Sequence, residues 1–440
     1  MTDWIGDTFT SDAGWEHLET LVDVGNRMAG TDGERRAAAA TRDRLEEVGA
    51  RNAHLEHFDV QGWSRESAAI HAGDTTQDCI ALPRSPAGEA TGHLVDLGYG
   101  LPTDFEACEA DQEVDLAGAV VVAATNVPDW HDRFVHRREK YYRAVEAGAA
   151  AFVFHNHVEG CLAPTGSVGT GDDPIGDVPA VGVSNEVGAR LVRRWEGEEV
   201  TVAVEADVSD ATSQNVHADL GPETEEGVLV TSHVDAHDVA EGAGDNGAGT
   251  AIVVEIARAL AAREDDLETR VHVICFGAEE IGLCGSQYDS EVRDLATVKA
   301  VVNNDGNGRA RDLRFLTNGF EDLERAVESV GDRLDHPLGT VPKLGPNSDH
   351  WPYVTWGVPG YQVVSDTGDE GRGWGHTRAD TLDKLDSRDI REQAIVLTNL
   401  VVELADADVN VARRDPEDIA TQLEAEDLAE GMRVIGDWPY

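Results

Sequence analysis

Residues 228–305 constrain the chain more than any other stretch. They read VLVTSHVDAHDVAEGAGDNGAGTAIVVEIARAL, then TRVHVICFGAEEIGLCGS, then VKAVVNNDGNG. The runs VLVTS, VHVICFG and KAVVNN are rich in Val and bounded by turn residues, which is the pattern of parallel strands buried on both faces. Between the first two, GAGTAIVVEIARALAAR has the length and apolar spacing of a helix. Each run ends in groups that bind metals or carry protons: His233 and Asp235, then Glu279 and Glu280, then Asp305. Open α/β sheets place their ligands beyond the carboxyl ends of the strands. The pattern therefore predicts a metal-dependent hydrolase site on a mostly parallel, twisted α/β sheet flanked by helices.

Charge narrows the possible partners. The 440 residues carry 35 Lys+Arg against 85 Asp+Glu, a net charge of −50. Such a surface repels nucleic acid and anionic lipid, so neither is expected as a partner. With 41% hydrophobic residues in ordered periodic runs, the charge does not imply disorder. Lysine occurs only at Lys140, Lys299, Lys343 and Lys384. An acidic, Lys-poor, Ala-rich composition suits a halophile's cytoplasm, where counterions screen self-repulsion. The opening MTDWIGDTFTSDAG lacks a basic and apolar leader, and no run is long enough to span a bilayer. A cytoplasmic location is the expectation. The five cysteines are scattered, with no paired spacing of a disulfide framework or thiolate metal site.

A chain of this length predicts more than one domain. Residues 14–50 read as two helices around the turn-like NRMAGTDG, the second being ERRAAAATRDRLEEVG, and ARNAHLEHFDVQGW then alternates as a strand. From 66 to 208 the character changes to short Val/Ala runs (HLVDLGYG, GAVVVAA, AAFVFHNH, VPAVGVS) with one strong helix, RREKYYRAVEAG. This predicts an inserted β-rich domain. The HNH at 155–157 lacks a supporting carboxylate pattern and reads as strand-end histidines rather than a metal site. The α/β pattern returns after 209. It includes the helices FEDLERAVESVGDRL and SRDIREQAIVLTNLVVELAD, the latter with Ser387 as N-cap, and an acidic, partly helical tail.

Two metals held close together need a carboxylate that can bridge them and further oxygen and imidazole ligands on each side. His233 sits at a strand end. Asp235, two residues on, points the same way and can hold the imidazole's other N–H. Asp245 lies in the Gly-rich loop GAGDNGAG. The adjacent Glu279 and Glu280 must divide roles, one toward metal and one toward substrate. Asp305 ends the third strand, and His376 sits in the later loop GWGHTRADTLD. Any one of these is an ordinary polar residue in so acidic a chain; their order behind successive strands is what carries the reading.

The segments SHVDAHDVAEGAGDNGAG, GAEEIGLCGS, NNDGNG, NSDHWPY and HTRADTLDKLD, with NRMAGTDGERRAAAATRDRLEEVG near the start, resemble the successive signatures of the M28 zinc peptidases. DLAGAVVVA, EAGAAAFVF and VPAVGVS resemble a protease-associated (PA) domain. The resemblance implies peptidase segments at 1–65 and 209–440 around a PA-like insertion at 66–208, and two zinc ions per chain. It implies that His233 and Asp305 hold one ion, Glu280 and His376 the other, and that Asp245 bridges them through a cis Asp245–Asn246 peptide. Where the family often has Asp, Asn246 removes no ligand. Glu279 would be the general base for a metal-bridging water that attacks a peptide carbonyl.

The function implied is a cocatalytic exopeptidase that removes the N-terminal residue of a peptide. A dipeptidase or carboxypeptidase of the same fold would need a cation for the substrate carboxylate, and Arg372 and Arg378 are the candidates. A binding protein on this scaffold would have lost ligands that this chain keeps. A glutaminyl cyclase would use one working metal and lack the insertion. Asp349 and His350 resemble a supporting motif of the substrate pocket but suit a structural role equally. Trp351, Tyr353 and Trp374 could line a side-chain pocket, though packing is the default. His237 and Asp238 have no assigned role.

Overall fold

The computed structural model describes residues 3–110, 115–171, 173–368 and 373–440. They form two compact units. The first comprises Met1–Val60, Ala211–Gly375 and Asp380–Gln422; the second comprises Gln61–Asp210, His376–Ala379 and Leu423–Tyr440. In chain order the strands are β1 (Arg51–Ala72), β2 (Thr75–Gln77), β3 (Ile80–Ala81), β4 (Gly88–Asp96), β5 (Val120–Ala124), β6 (Ala151–His155) and β7 (Ala180–Val183). They continue as β8 (Glu199–Leu220), β9 (Gly227–His233), β10 (Arg270–Phe276), β11 (Val298–Asn304), β12 (Leu313–Leu316), β13 (Gly339–Val341) and β14 (Gly360–Ser365).

In the first unit the strand order is β13-β12-β14-β11-β9-β10, with residues 216–220 of β8 beside β10. Strands β9, β10, β11 and β14 are mutually parallel, β12 is antiparallel to β14, and β8 is antiparallel to β10. Every residue of β9 and β11 is buried, as expected for strands covered on both faces. The helix Ala248–Ala261 joins β9 to β10, and only Arg258 and Ala261 along it escape burial. It packs between the helices Ala13–Val24 and Ser387–Leu404. The chain then crosses back over β9 to reach β11. Strand β9 thus lies at a point where successive connections diverge, the position at which α/β sheets open a crevice.

One helix start differs from the sequence expectation. Asp386, not Ser387, caps Ser387–Leu404: its backbone is extended and its carboxylate accepts the Arg388 N–H at 2.9 Å. Both residue types cap well, and the position whose backbone is still extended decides.

The second unit has the order β8-β4-β5-β6-β7-β3, with β4 to β7 parallel and the flanking strands antiparallel. Where the sequence suggested a β-rich domain, three helices alternate with these strands: Pro102–Ala110, Arg137–Glu146 and Asn185–Trp195. The reason lies in β5, VVVAA, which is buried throughout. Val120 and Val122 pack with Trp63, Leu191 and Trp195, while Val121 and Ala123 pack with Tyr141 and Phe152. A strand apolar on both faces needs cover on both.

The tail Leu423–Tyr440 groups with this second unit, not with the first as the sequence division at 209–440 implied. Arg143 bridges Glu139 at 3.1 Å and Glu430 at 2.8 Å, and Gly431 sits so close to Glu139 that a Cβ there would meet its Oε2 at 2.3 Å. The acidic tail thus folds onto the basic face of Arg137–Glu146. Such a long-range charge match has no local signature. Among the described residues, no helix is long and apolar enough to cross a membrane.

Candidate metal centre and catalytic residues

β9 ends at His233, β10 ends three residues before Glu279, and β11 ends immediately before Asp305. Parallel pairing in register brings these ends together. His233 Nε2 lies 3.4 Å from Asp245 Oδ1, 3.7 Å from Asp305 Oδ1 and 4.0 Å from Glu279 Oε2. Its Nδ1 faces the Asp235 carbonyl at 3.1 Å and Oδ1 at 3.4 Å, so the proton belongs on Nδ1 and a lone pair on Nε2. That Nε2 is buried and makes no hydrogen bond of good geometry. An imidazole lone pair opposed by three carboxylates is a poor arrangement alone and a good one around a divalent cation with mixed N/O ligands. The donor set fits the ion that the sequence implies. Burial disfavours charge on His233, but with no cation among them Glu279, Asp235, Asp245 and Asp305 override it and hold the imidazole well above its usual range; a divalent ion bound at Nε2 would take the place of that second proton.

The Glu279–Glu280 turn is fixed from beneath. Asp235 Oδ1 accepts the Glu279 N–H and Oδ2 the Glu280 N–H, each at 3.1 Å. Asp235 thereby ties the end of β9 to the turn after β10. The two glutamates then diverge: Glu280 Oε2 is 2.9 Å from His237 Nε2, while Glu279 faces His233. Burial raises the Glu279 carboxyl well above its usual range, with Glu280, Asp305 and Asp349 adding to the effect. A second carboxyl supports the same turn. Glu34 Oε1 accepts the Ala278 N–H at 3.1 Å and the Ser213 hydroxyl at 2.6 Å, and Oε2 accepts the Gly30 N–H at 2.7 Å. Burial, reinforced by Asp235, pushes Glu34 up to about 8.

The Asp245 loop is held by buried groups on both sides. Asp380 accepts the Gly244 and Asp245 N–H groups at 2.7 and 3.0 Å, and burial pushes its carboxyl up to about 6. Arg27, 1% exposed, donates to the carbonyls of Leu21, Val234, Glu241 and Gly242. The Asp245–Asn246 peptide is cis. The Asn246 side chain donates to the Asn304 carbonyl at 2.8 Å and accepts the Gly249 N–H at 3.1 Å, linking this loop to the end of β11. Asp305 accepts a short hydrogen bond from Ser348, which in turn accepts from Asn303 at 2.7 Å.

These geometries can be set beside known proteins. The sequence profile of peptidase family M28 matches residues 215–401, which contain His233, Asp235, Asp245, Glu279, Glu280 and Asp305 but not Arg27 or Glu34, and that of the PA domain matches 90–191. Over residues 215–401 the chain is similar to peptidase family M28. Aminopeptidase YwaD of Bacillus subtilis is 26% identical over 423 residues, covering 91% of this chain and 85% of its own. Among solved structures, an M28 peptidase precursor from Shewanella amazonensis matches with a TM-score of 0.76 at 22% identity, over 93% of this chain and 97% of its own. A Bacillus subtilis protein described as a zinc aminopeptidase matches with a TM-score of 0.69 at 22% identity, over 91% and 96% of the two chains.

The first unit gathers His233, Asp235, Asp245, Glu279, Glu280 and Asp305. His376 groups with the second unit, where its carbonyl accepts the Thr165 N–H at 2.8 Å. Arg378 donates to the Cys161 carbonyl at 2.9 Å, and Arg372 lies outside the described residues. Asp349 and His350 are fully buried, and burial pushes the Asp349 carboxyl up to about 8 and His350 down to about 3. Trp351 and Tyr353 are core residues, and Trp374 is 41% exposed. His157 meets Thr125 at 2.6 Å, and no candidate metal group among the described residues includes the HNH histidines. Sequence reasoning did not single out Arg27, Glu34 and Asp380, and it left His237 without a role. The first three lie inside the quoted segments NRMAGTDGE and HTRADTLD, so the motifs marked their neighbourhood but not their task.

Proposed function

We propose that this chain is a member of peptidase family M28 and a zinc-dependent aminopeptidase that hydrolyses the N-terminal peptide bond of peptides. The observation that carries the reading is the convergence of His233, Asp245 and Asp305 beside the buried Glu279, at the carboxyl ends of adjacent parallel strands. His233 and Asp305 are assigned to one ion, Glu280 and His376 to a second, and Asp245 to both, the place of His376 resting on its sequence motif. Bound there, divalent zinc would supply a Lewis acid for the substrate carbonyl and a lowered pKa for water. Glu279 is the general base: it takes the proton of the water whose oxygen attacks the carbonyl carbon. It returns that proton to the amine nitrogen as the C–N bond breaks. Its raised proton affinity, set by burial, suits a group that must both accept and release a proton. Asp235 positions the base through the Glu279 and Glu280 N–H groups. The names of the relatives favour an N-terminal specificity over a C-terminal one, and Arg378 is already engaged with a carbonyl. The net charge of −50 fits activity in concentrated salt.

The test is hydrolysis in high salt, with and without a chelator, of Leu-, Ala- and Arg-anilides, unblocked dipeptides and N-blocked peptides. Chelator-sensitive cleavage of the anilides, lost in Glu279→Gln, is expected. Cleavage of N-blocked peptides alone would move the assignment to a carboxypeptidase. No turnover at full metal occupancy would overturn the peptidase reading.

A further inference from the structure

A second set of titratable groups lies in the first unit and shares no residue with the cluster above. His54 and Glu56 alternate on β1, His217 and Asp219 on β8, and His272 stands opposite Asp219 on β10. Asp289, on the helix Cys284–Val292, completes the set with Glu56 and His217.

The hydrogen bonds fix the tautomers. His272 Nδ1 is 2.7 Å from Asp219 Oδ1, and His272 Nε2 is 3.0 Å from His217 Nδ1. An ionised carboxylate only accepts, so His272 carries its proton on Nδ1 and offers a lone pair at Nε2. His217 must then donate from Nδ1, which leaves a lone pair at its own Nε2. That atom is buried, makes no hydrogen bond, and faces Glu56 Oε2 at 3.2 Å. The alternative, a further proton on His217 Nε2, would place an imidazolium in a buried site, against Glu56 Oε2. Burial, followed by the charge of His272, pushes His217 down to about 3, and burial lowers His272 as well. Asp219, held by His272 and Asn52 against the cost of burial, lies at about 2 and is ionised.

The result is a lone pair pointing at a carboxylate, with a second carboxylate alongside. The ligand atoms of Glu56, His217 and Asp289 all lie within 4.8 Å of one another. A single proton can join two of these atoms but not three. One ion at about 2.0–2.2 Å from each can join all three. The supporting contacts are those of a metal site: the other nitrogen of the ligating imidazole is engaged through His272 to Asp219, and the carboxylate of Asp289 is gripped by Arg293 at 2.7 and 2.8 Å and by the Tyr353 hydroxyl at 2.5 Å. The His54 ring stacks on His217 with centroids 5.0 Å apart. We infer that Glu56, His217 and Asp289 form a further binding site for a divalent transition-metal cation, separate from the catalytic centre. One imidazole nitrogen with two carboxylate oxygens favours zinc, cobalt or manganese over calcium or magnesium. The Arg293 guanidinium offsets one carboxylate charge, so this site binds more weakly than the His233 cluster.

The experiment uses the full chain, stripped by chelator and titrated with Co²⁺ in high salt, with ions per chain counted after gel filtration. Glu56→Gln and His217→Phe should each take up one ion fewer than the wild type while keeping its anilide hydrolysis when zinc-loaded. Glu56 is partly exposed and Gln is isosteric, so that variant stands even if His217→Phe fails to fold. To separate the two sites, the comparison is repeated with Asp245→Asn. Co²⁺ should still raise the Tm of Asp245→Asn, and adding Glu56→Gln should abolish the rise. Equal uptake by wild type and Glu56→Gln would overturn the proposal, whatever the outcome for peptide hydrolysis, and would leave a proton between Glu56 and His217.

Discussion

Asp235→Asn is the sharpest probe of how Glu279, the proposed base, and Glu280, a proposed metal ligand, are placed. Asp235 is fully buried, and each carboxylate oxygen accepts one backbone N–H, from Glu279 and Glu280, at 3.1 Å. The substitution is nearly isosteric, so packing survives. It leaves one acceptor and sets an amide N–H₂ against the other backbone N–H, donor to donor. One hydrogen bond to a charged group is lost, about 1.5–3 kcal/mol. If the turn moves to relieve the clash, that energy is withdrawn from the placement of Glu279. At about 1.4 kcal/mol per decade, kcat/KM should fall by roughly 10- to 150-fold. The assay is anilide hydrolysis in high salt at saturating zinc, well below the Tm of the variant, with circular dichroism to establish folding. A folded variant within twofold of wild-type kcat/KM would refute the claim that these two hydrogen bonds position the base.

Two further outcomes follow from the same contacts. Gly249→Ala should destabilise the first unit and reduce metal uptake, because a Cβ there would meet Asn246 Oδ1 at 2.2 Å and the Asn304 carbonyl at 2.3 Å, the contacts that hold the Asp245 loop; an unchanged Tm and metal content would contradict this. His17 is buried with Nε2 3.0 Å from the Thr41 hydroxyl, and burial, with Arg44 and Arg27 adding, pushes it down to about 3. Because the folded state excludes a proton that the unfolded chain binds below about 6.5, the contribution of His17 is present above that pH. It is lost as pH falls toward 3, by at most about 1.4 kcal/mol per pH unit. His17→Gln should therefore flatten the fall of Tm with pH between 6 and 4, and an unchanged slope would exclude His17 as a source of acid lability.

Much of this protein was legible in its sequence. The valine-rich runs specified β9, β10 and β11 because strands buried on both faces admit almost nothing but apolar residues. The residues ending those runs had to lie together, since parallel strands in register align their carboxyl ends. The order of His233, Glu279 and Asp305 behind these strands therefore led to the expectation that they converge, while their roles, and those of Asp245 and Glu280, came from the resemblance to a family. The cap at Asp386 and the helices of the second unit were harder to read. They depend on which residue leaves the extended conformation last and on which faces of β5 need cover.

Only the tertiary structure decided what holds the site in place. Arg27 finds its carbonyl partners about two hundred residues away at 234–242, Glu34 joins 213 and 278, and Asp380 grips 244 and 245. The histidines at 217 and 272 meet only through antiparallel pairing, which sets one strand's tautomer against the other's. Strand identity is written locally, in apolar periodicity, because each residue's burial depends on its immediate neighbours. Buried polar groups instead take their meaning from partners supplied by distant segments, and those partners exist only once the backbone has brought them within hydrogen-bonding distance.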